Sequence, residues 1–287
     1  MNTDDRRTWD SVWPAPAKLN LFLHVVGRRA DGYHLLQTVF RFVGHGDGLR
    51  FAPRGDGRVT LARSLPGVPP ENDLVVRAAR RLQIETGCRE GVEISNEKRL
   101  PMGGGLGGGS SDAATVLLAL NHLWQTGVSR RRLREIGLEL GADVPVFLFG
   151  ENAFGEGVGE ALRPVNLPPA WYVVLEPPVR VQTTLIFGDP GLVRDTPPIS
   201  ASAWRPGFGR NDLQAVAVRR FPEIARHLAW LARFGEARMT GSGACVFAEF
   251  AEESAAREVL GRLPADMRGW VATGLDRHPL CALGENR

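Results

Sequence analysis

The chain has 287 residues, 35 Lys+Arg against 32 Asp+Glu, a formal net charge of +3, 43% hydrophobic and 23% charged residues. That composition is ordinary for a globular protein and excludes a disordered chain, and the length fits one large or two medium domains. A surplus of three charges is too small to argue for nucleic acid, and the run Arg130-Arg131-Arg132 reads as a solvated helix face because no aromatic residues interleave with it.

Residues 17–26 alternate, with Leu19, Leu21 and Leu23 on one side and Asn20, Phe22 and His24 on the other, which predicts a strand. Strands at 36–43 and 47–52 follow, separated by Gly-His-Gly-Asp-Gly. Residues 72–86 predict a helix stopped by Gly87, with Leu74, Ala78 and Leu82 repeating at i+4. A strand at 91–97 leads through a glycine cluster into an apolar helix that begins near Ser110 or Ser111. A helix over 129–140 ends at Gly141, and the segment after it is a short buried element. Strands are expected at 161–166 and 171–176, and the Pro- and Gly-rich stretch 188–209 is expected to be a flexible surface loop. Helices at 211–219 and 222–234, a strand–loop–strand at 237–250, a helix at 252–262 and a strand at 268–274 complete the chain. Strands grouped early and clustered helices predict an α+β fold with a domain boundary near 155–165.

No stretch approaches the roughly 20 apolar residues of a spanning helix, and the N-terminus lacks the apolar run of a signal peptide. Cys88, Cys245 and Cys281 are an odd number without metal-ligand spacing, which fits a reducing compartment. A soluble cytoplasmic protein with no membrane or nucleic-acid partner is expected.

The strongest chemical signal is six glycines in the seven positions Gly103 to Gly109, broken by Leu106 and followed by Ser110, Ser111 and a helix. Such a loop turns several N–H groups onto one anion, and the helix N-terminus adds its own unpaired N–H groups. Ser110 or Ser111 is placed to cap the helix or to offer a hydroxyl to a phosphate. The loop is not Walker A, because Ser110 stands where the lysine belongs. The Rossmann pattern of Gly103, Gly105 and Gly108 lacks its downstream acid. Asp143, between a helix-stopping glycine and an apolar segment, is either a turn or cap aspartate or a carboxylate held as a base or ligand. The turn Thr240-Gly241-Ser242-Gly243-Ala244 is either a ligand-approaching loop or a tight hairpin. Of the 35 cations only Lys18 and Lys98 are lysines; either they mark places that want a compact ammonium, or drift left them.

Four segments together, PAPAKLNLFLHVVGRRADGYHLLQTVF, LPMGGGLGGGSSDAATVLLALNHLW, LGADVPVFLFG and MTGSGACVFAEF, resemble the 4-diphosphocytidyl-2-C-methyl-D-erythritol kinases of the GHMP kinase superfamily, from about residue 15 to 275. The resemblance implies a two-lobed architecture with the active site in the inter-lobe cleft, residues 1–160 forming an ATP-binding lobe and 161–287 a substrate-side lobe. It implies transfer of the γ-phosphoryl of ATP, with Mg²⁺, to the 2-hydroxyl of 4-diphosphocytidyl-2-C-methyl-D-erythritol in the non-mevalonate isoprenoid pathway. Pro101, Met102, Gly103, Gly104, Gly105, Leu106, Gly107, Gly108, Gly109, Ser110 and Ser111 would form the ATP phosphate loop, with Lys98 on the nucleotide side. Asp143 matches the catalytic aspartate and Lys18 the catalytic lysine, with Asn20 beside them at the substrate. Tyr33 and Phe187 match aromatics that sandwich the cytosine, His34 the residue that reads its polar edge, and Thr183 lies on the same wall. One departure is visible: Asp73 stands where the family commonly has Asn, with Asn72 one place earlier. The other readings are a mevalonate- or homoserine-type kinase of the same superfamily, a non-catalytic nucleotide-binding protein, or an RNA-binding protein.

Overall fold

A computed structural model of the chain describes residues 8–64 and 67–283. β1 (Trp13–Arg28) and β2 (His34–Arg54) form a long antiparallel pair that starts the fold. The Gly-His-Gly-Asp-Gly segment, expected to separate two strands, lies inside β2. There the register steps from Pro16↔Gly46 to Ala17↔Val43, so the extra residues form a bulge instead of a break. Gly46 is what permits it: a Cβ at that position would lie 2.2 Å from the Ala15 carbonyl oxygen.

β2 also pairs with β4 (Gly91–Glu97), with β5 (Ala153–Glu156) and with the last strand, β10 (Gly269–Leu275). The short β3 (Val59–Leu61) runs parallel to β4, and β6 (Ala161–Pro164) pairs with β5. On its other edge β10 meets β7 (Trp171–Leu175), which continues to β9 (Val246–Phe250) and β8 (Ala237–Met239). The order β3-β4-β2-β10-β7-β9-β8 makes β10 the bridge between the two halves of the chain. The lobe edge expected at 160/161 therefore cuts the β5–β6 hairpin, whose second strand belongs with the first half.

Helices cover this sheet. α1 (Leu74–Thr86) starts where Asp73 accepts the Val75 N–H at 2.9 Å and stops at Gly87, whose φ of +68° is the left-handed cap. α2 (Gly108–Leu123) is buried from Ser111 to Leu120, so nearly every side chain in it is apolar or small. It packs among α1, α3 (Arg130–Leu140) and α4 (Val144–Phe149). α5 (Thr183–Phe187) follows β7. A second apolar cluster joins β7, β8 and β9 to α6 (Gln214–Arg220), α7 (Pro222–Leu231) and α8 (Glu253–Gly261), and it takes Leu23 and Val25 from β1. A third cluster, with Leu19, Phe22, Val39, Tyr172 and Phe247, sits between the halves. The α+β class stands.

Two local expectations change. The 188–209 stretch is tied down despite having only one 3-10 turn (Ala201–Ala203). Thr196 N–H donates to the Val25 carbonyl at 3.1 Å, and the Gln37 amide exchanges hydrogen bonds of 2.8 Å with both backbone groups of Ile199. Irregular chain satisfied in this way needs no periodicity. Arg130 is not on a solvated face: its guanidinium donates to the carbonyls of Leu148, Leu280, Cys281 and Leu283 at 2.5–3.0 Å and clamps the end of the described chain.

Candidate active site

The glycine cluster is a loop of alternating hand. Gly103, Gly105 and Gly107 have φ of +71°, +75° and +73°, which side chains resist. α2 begins at Gly108, earlier than expected, and Gly107 is its N-cap with no side chain to satisfy the first N–H groups. Those donors stay available to an anion. Ser110 lines the cleft beside them. Ser111 does not: it is fully buried, and its hydroxyl donates to the Pro16 carbonyl at 2.7 Å, tying α2 to β1. Its part in phosphate binding is therefore not supported by its placement.

Backbone contacts brace the loop. Lys18 N–H donates to the Leu106 carbonyl, Ala244 N–H to Gly103 and Cys245 N–H to Gly104, each at 3.0 Å. A Cβ on Gly105 would stand 2.1 Å from the Thr240 carbonyl oxygen, and one on Gly241 would stand 2.8 Å from that of Gly105. The Thr240–Ala244 turn is thus the backboard of the glycine loop. Asn211 holds it, donating to the Met239 and Gly241 carbonyls at 2.8 Å.

Lys18 and Asp143 converge at the open end of this loop. Lys18 points from β1 into the cleft, 2% exposed, its stem so near Gly107 that a Cβ there would lie 3.1 Å from Lys18 Cε. Asp143 occupies the N-cap position of α4, but its side chain caps nothing. Its carboxylate, 37% exposed, is left to Lys18, with Nζ and Oδ2 3.2 Å apart. Lys18 Nζ also donates to Asn20 Oδ1 at 2.5 Å and lies 5.7 Å from the centre of the Phe40 ring. Asn20 Nδ2 donates to Thr38 Oγ1 at 2.9 Å, and Asn20 N–H to Thr240 Oγ1 at 3.0 Å. The Thr38 and Thr240 hydroxyls were not among the side chains singled out from sequence, although both lie in the segments that carry the resemblance.

The cleft has a volume of about 550 Å³ and runs from Asn72, Asp73 and the glycine loop, past Lys18 and Asp143, to Thr183 and Phe187. At its far end the rings of His34 and Phe187 pack 4.8 Å apart at 33°. Thr183 Oγ1 meets Ser242 Oγ at 2.9 Å. Tyr33 sits outside this contact, 63% exposed at the turn between β1 and β2. Arg194, which sequence did not single out, donates from Nε to His34 Nε2 at 3.1 Å and from Nη2 to the Phe187 carbonyl at 2.9 Å. Burial, then the charges of Arg194 and Arg28, push the His34 pKa down. Because Arg194 only donates, His34 keeps Nε2 as an acceptor and its proton on Nδ1.

Lys98 lines the other end of the cleft and is held by two acids, Asp47 from the β2 bulge and Asp112 from α2, the latter at 2.8 Å. Asp47 Oδ1 also accepts the N–H groups of Arg99 and Leu100 at 2.6 and 2.9 Å, fixing the entry to the glycine loop. Asp73 spends Oδ1 on capping α1, so Asn72 is the neighbouring cleft residue with its amide uncommitted to that cap.

With this geometry in place the comparisons are consistent. Residues 73–151 match the GHMP kinases N terminal domain and residues 200–269 the GHMP kinases C terminal domain. The chain belongs to the GHMP kinases. Within them it belongs to the 4-diphosphocytidyl-2-C-methyl-D-erythritol kinase family. It is 61% identical over 273 residues to the enzyme of that name from Dechloromonas aromatica (strain RCB), covering 95% of this chain and 100% of the relative. It is 62% identical over 269 residues to the one from Thiobacillus denitrificans (strain ATCC 25259 / T1), covering 94% and 97%. A solved 4-(cytidine 5'-diphospho)-2C-methyl-D-erythritol kinase superposes with a TM-score of 0.80 at 37% identity, covering 92% of this chain and 99% of that one.

Proposed function

We propose that the chain transfers the γ-phosphoryl group of ATP to the 2-hydroxyl of 4-diphosphocytidyl-2-C-methyl-D-erythritol, giving the 2-phosphate and ADP in the non-mevalonate isoprenoid pathway. The observation that carries this reading is the Lys18–Asp143 pair, 3.2 Å apart at the open end of the glycine loop. Phosphoryl transfer asks little covalent help of a protein; position and charge supply most of the rate. The backbone N–H groups of Gly103–Gly109 and the start of α2 receive the ATP phosphates, with Ser110 beside them. Asp143 accepts the proton of the attacking hydroxyl, and Lys18 offsets the charge that gathers on the transferring group. Asn20 contacts the substrate beside Lys18. Phe187 and Tyr33 stack the cytosine, His34 offers its Nδ1–H to an acceptor on the ring edge, and Thr183 lines the same wall.

Among the described residues no three His, Cys, Asp or Glu side chains gather as an all-protein metal cage. The donors present, the Asp143 carboxylate and the Ser110 hydroxyl, fit a Mg²⁺ that arrives on ATP and keeps most of its water, and such an ion neutralises phosphate charge. No helix among the described residues is long and apolar enough to cross a membrane, and Cys88, Cys245 and Cys281 are free thiols, as the reducing cytoplasm we propose would keep them. We place the lobe boundary after β6, where it leaves the β5–β6 hairpin whole.

The test is a coupled ADP-release assay with ATP and the cytidylyl alcohol, run beside mevalonate and homoserine as competing acceptors. The reading requires turnover with the cytidylyl alcohol at least about tenfold faster in kcat/KM than with either competitor. A preference for mevalonate or homoserine would overturn it.

A further inference from the structure

We propose that Thr38 is a positioning residue for phosphoryl transfer: its hydroxyl decides which end of the Asn20 amide faces Lys18, and through Asn20 it aims the Lys18 ammonium. The inference rests on the kinase reading above and assigns a role to a side chain that the sequence did not single out.

The argument begins with a bulge. On β1 Asn20 pairs with Phe40 and Leu23 with Thr38, so three steps on β1 answer two on β2. Phe22 lies within the bulge, and Thr38 Oγ1, from a residue 1% exposed, donates to its carbonyl at 2.5 Å. A hydroxyl owns one hydrogen. With that hydrogen given to Phe22, Thr38 Oγ1 can only accept from Asn20, so the amide end at 2.9 Å from it is Nδ2. Asn20 Oδ1 is thereby turned to the opposite side, where Lys18 Nζ donates to it at 2.5 Å. Lysine has donors alone, so the chain of donation runs in one direction: Lys18 to Asn20, Asn20 to Thr38, Thr38 to Phe22.

Reversing the amide would set an NH₂ group against the ammonium and an acceptor against an oxygen whose hydrogen is spent. Thr240 fixes the Asn20 backbone at 3.0 Å, and its hydroxyl donates only at 3.4 Å, to Asn20 Oδ1 or to the Gly105 carbonyl, so the shorter bond from Nδ2 to Thr38 is the firmer hold on the amide. The ammonium has three hydrogens. One goes to Asn20 and one faces Asp143 at 3.2 Å, which leaves the third for an oxygen of the transferring phosphoryl group. Without the Thr38 hydroxyl the Nδ2 end of the amide loses its fixed acceptor and the ammonium alone must orient it, so the direction of Lys18 is set less tightly. The consequence falls on the chemical step, since Thr38 is 1% exposed and acts on the reacting groups only through Asn20 and Lys18.

The experiment is steady-state kinetics on Thr38→Val, Thr38→Ser, Asn20→Ala and the double variant Thr38→Val/Asn20→Ala, using ATP and the cytidylyl alcohol. Thr38→Val keeps the shape and should lower kcat on the order of tenfold or more, with both KM values within about twofold. Thr38→Ser restores the hydroxyl and should stay within about threefold of wild type. In the Asn20→Ala background the valine change should cost less than about twofold further, because its route to Lys18 is already gone. Equal kcat for Thr38→Val and wild type, equal damage from valine and serine, or a full additional loss in the Asn20→Ala background would each overturn the proposal. If Thr38→Val does not fold, Thr38→Cys, of similar size and with only a weak donor, is read by the same criteria. Wild-type protein that leaves the cytidylyl alcohol untouched would instead defeat the kinase reading itself.

Discussion

Lys18 holds Asn20 and Asp143 with a point charge whose stem fills the space beside Gly107. A guanidinium is planar and broader, and its fork would reach past Asp143 or press on the loop. Lys18→Arg should therefore lower kcat by about 100-fold or more while the protein stays folded, as steady-state kinetics beside circular dichroism would show. Lys98 is a different case. It lies partly buried between Asp47 and Asp112, so removing it leaves the buried Asp47 carboxylate without its cation, and Lys98→Met should cost about 3–5 kcal/mol in urea unfolding. Burial, with the Asp47 charge, raises the Asp112 pKa from 3.8 to about 7 against the pull of Lys98. The native state then keeps a proton that the unfolded chain releases above 3.8. Stability from this group is full below that value and falls as pH rises toward 7. Urea midpoints should fall across that window for wild type relative to Asp112→Asn; a constant difference would contradict this. Rarity raised the question of Lys18 and Lys98 without answering it, whereas Lys18 and Asp143 stood in segments that carry the resemblance, and the structure brings those two together. The bond from Lys98 to Asp47 and Asp112 was not, because it joins residues 51 and 14 positions apart that share no local pattern. Arg194 and Thr38 were missed for the same reason.

At the scale of elements, the glycine loop and the Thr240–Ala244 turn are two halves of one device, each shaped by the close approach of the other. Gly105→Ala places a Cβ where the Thr240 carbonyl already stands and demands a φ of +75°. The loop must shift, so ATP affinity should fall at least about tenfold with about 1–3 kcal/mol of lost stability, measured by calorimetry and urea unfolding. The loop stood out in the sequence because six glycines run into an apolar helix, and the packing of Gly104, Gly105 and Gly107 against their neighbours is a second demand that the sequence did not show. The loop's backboard did not stand out, since a Thr-Gly-Ser-Gly turn alone is also an ordinary hairpin. The helices with clear caps, α1 and α3, matched expectation to within a residue or two. β3 and β5, three and four residues long, carry too little alternation to announce themselves, and the β2 bulge hides in a segment composed like a turn.

Across the whole molecule, β10 joins the halves by pairing with β2 on one edge and β7 on the other. The cleft between them draws its chemistry from β1, the glycine loop and α4 on one side and from α5 and the Thr240 turn on the other. On the proposed reading the nucleotide lies at the glycine loop and the cytosine at the His34–Phe187 end, so the binding of the two should respond separately. Phe187→Ala removes the ring packed on His34 and should raise KM for the cytidylyl substrate about tenfold, with the ATP KM within about twofold, since stacking on a base is worth about 1–3 kcal/mol. Equal effects on both would contradict the placement of the base at this end. The central claim is that Asp143, held by Lys18, takes the hydroxyl proton. The most direct measurement compares kcat of Asp143→Asn with wild type for ATP and 4-diphosphocytidyl-2-C-methyl-D-erythritol. A loss on the order of 10²–10⁴ with a folded protein is the expected result. A near-wild-type kcat in Asp143→Asn would contradict it.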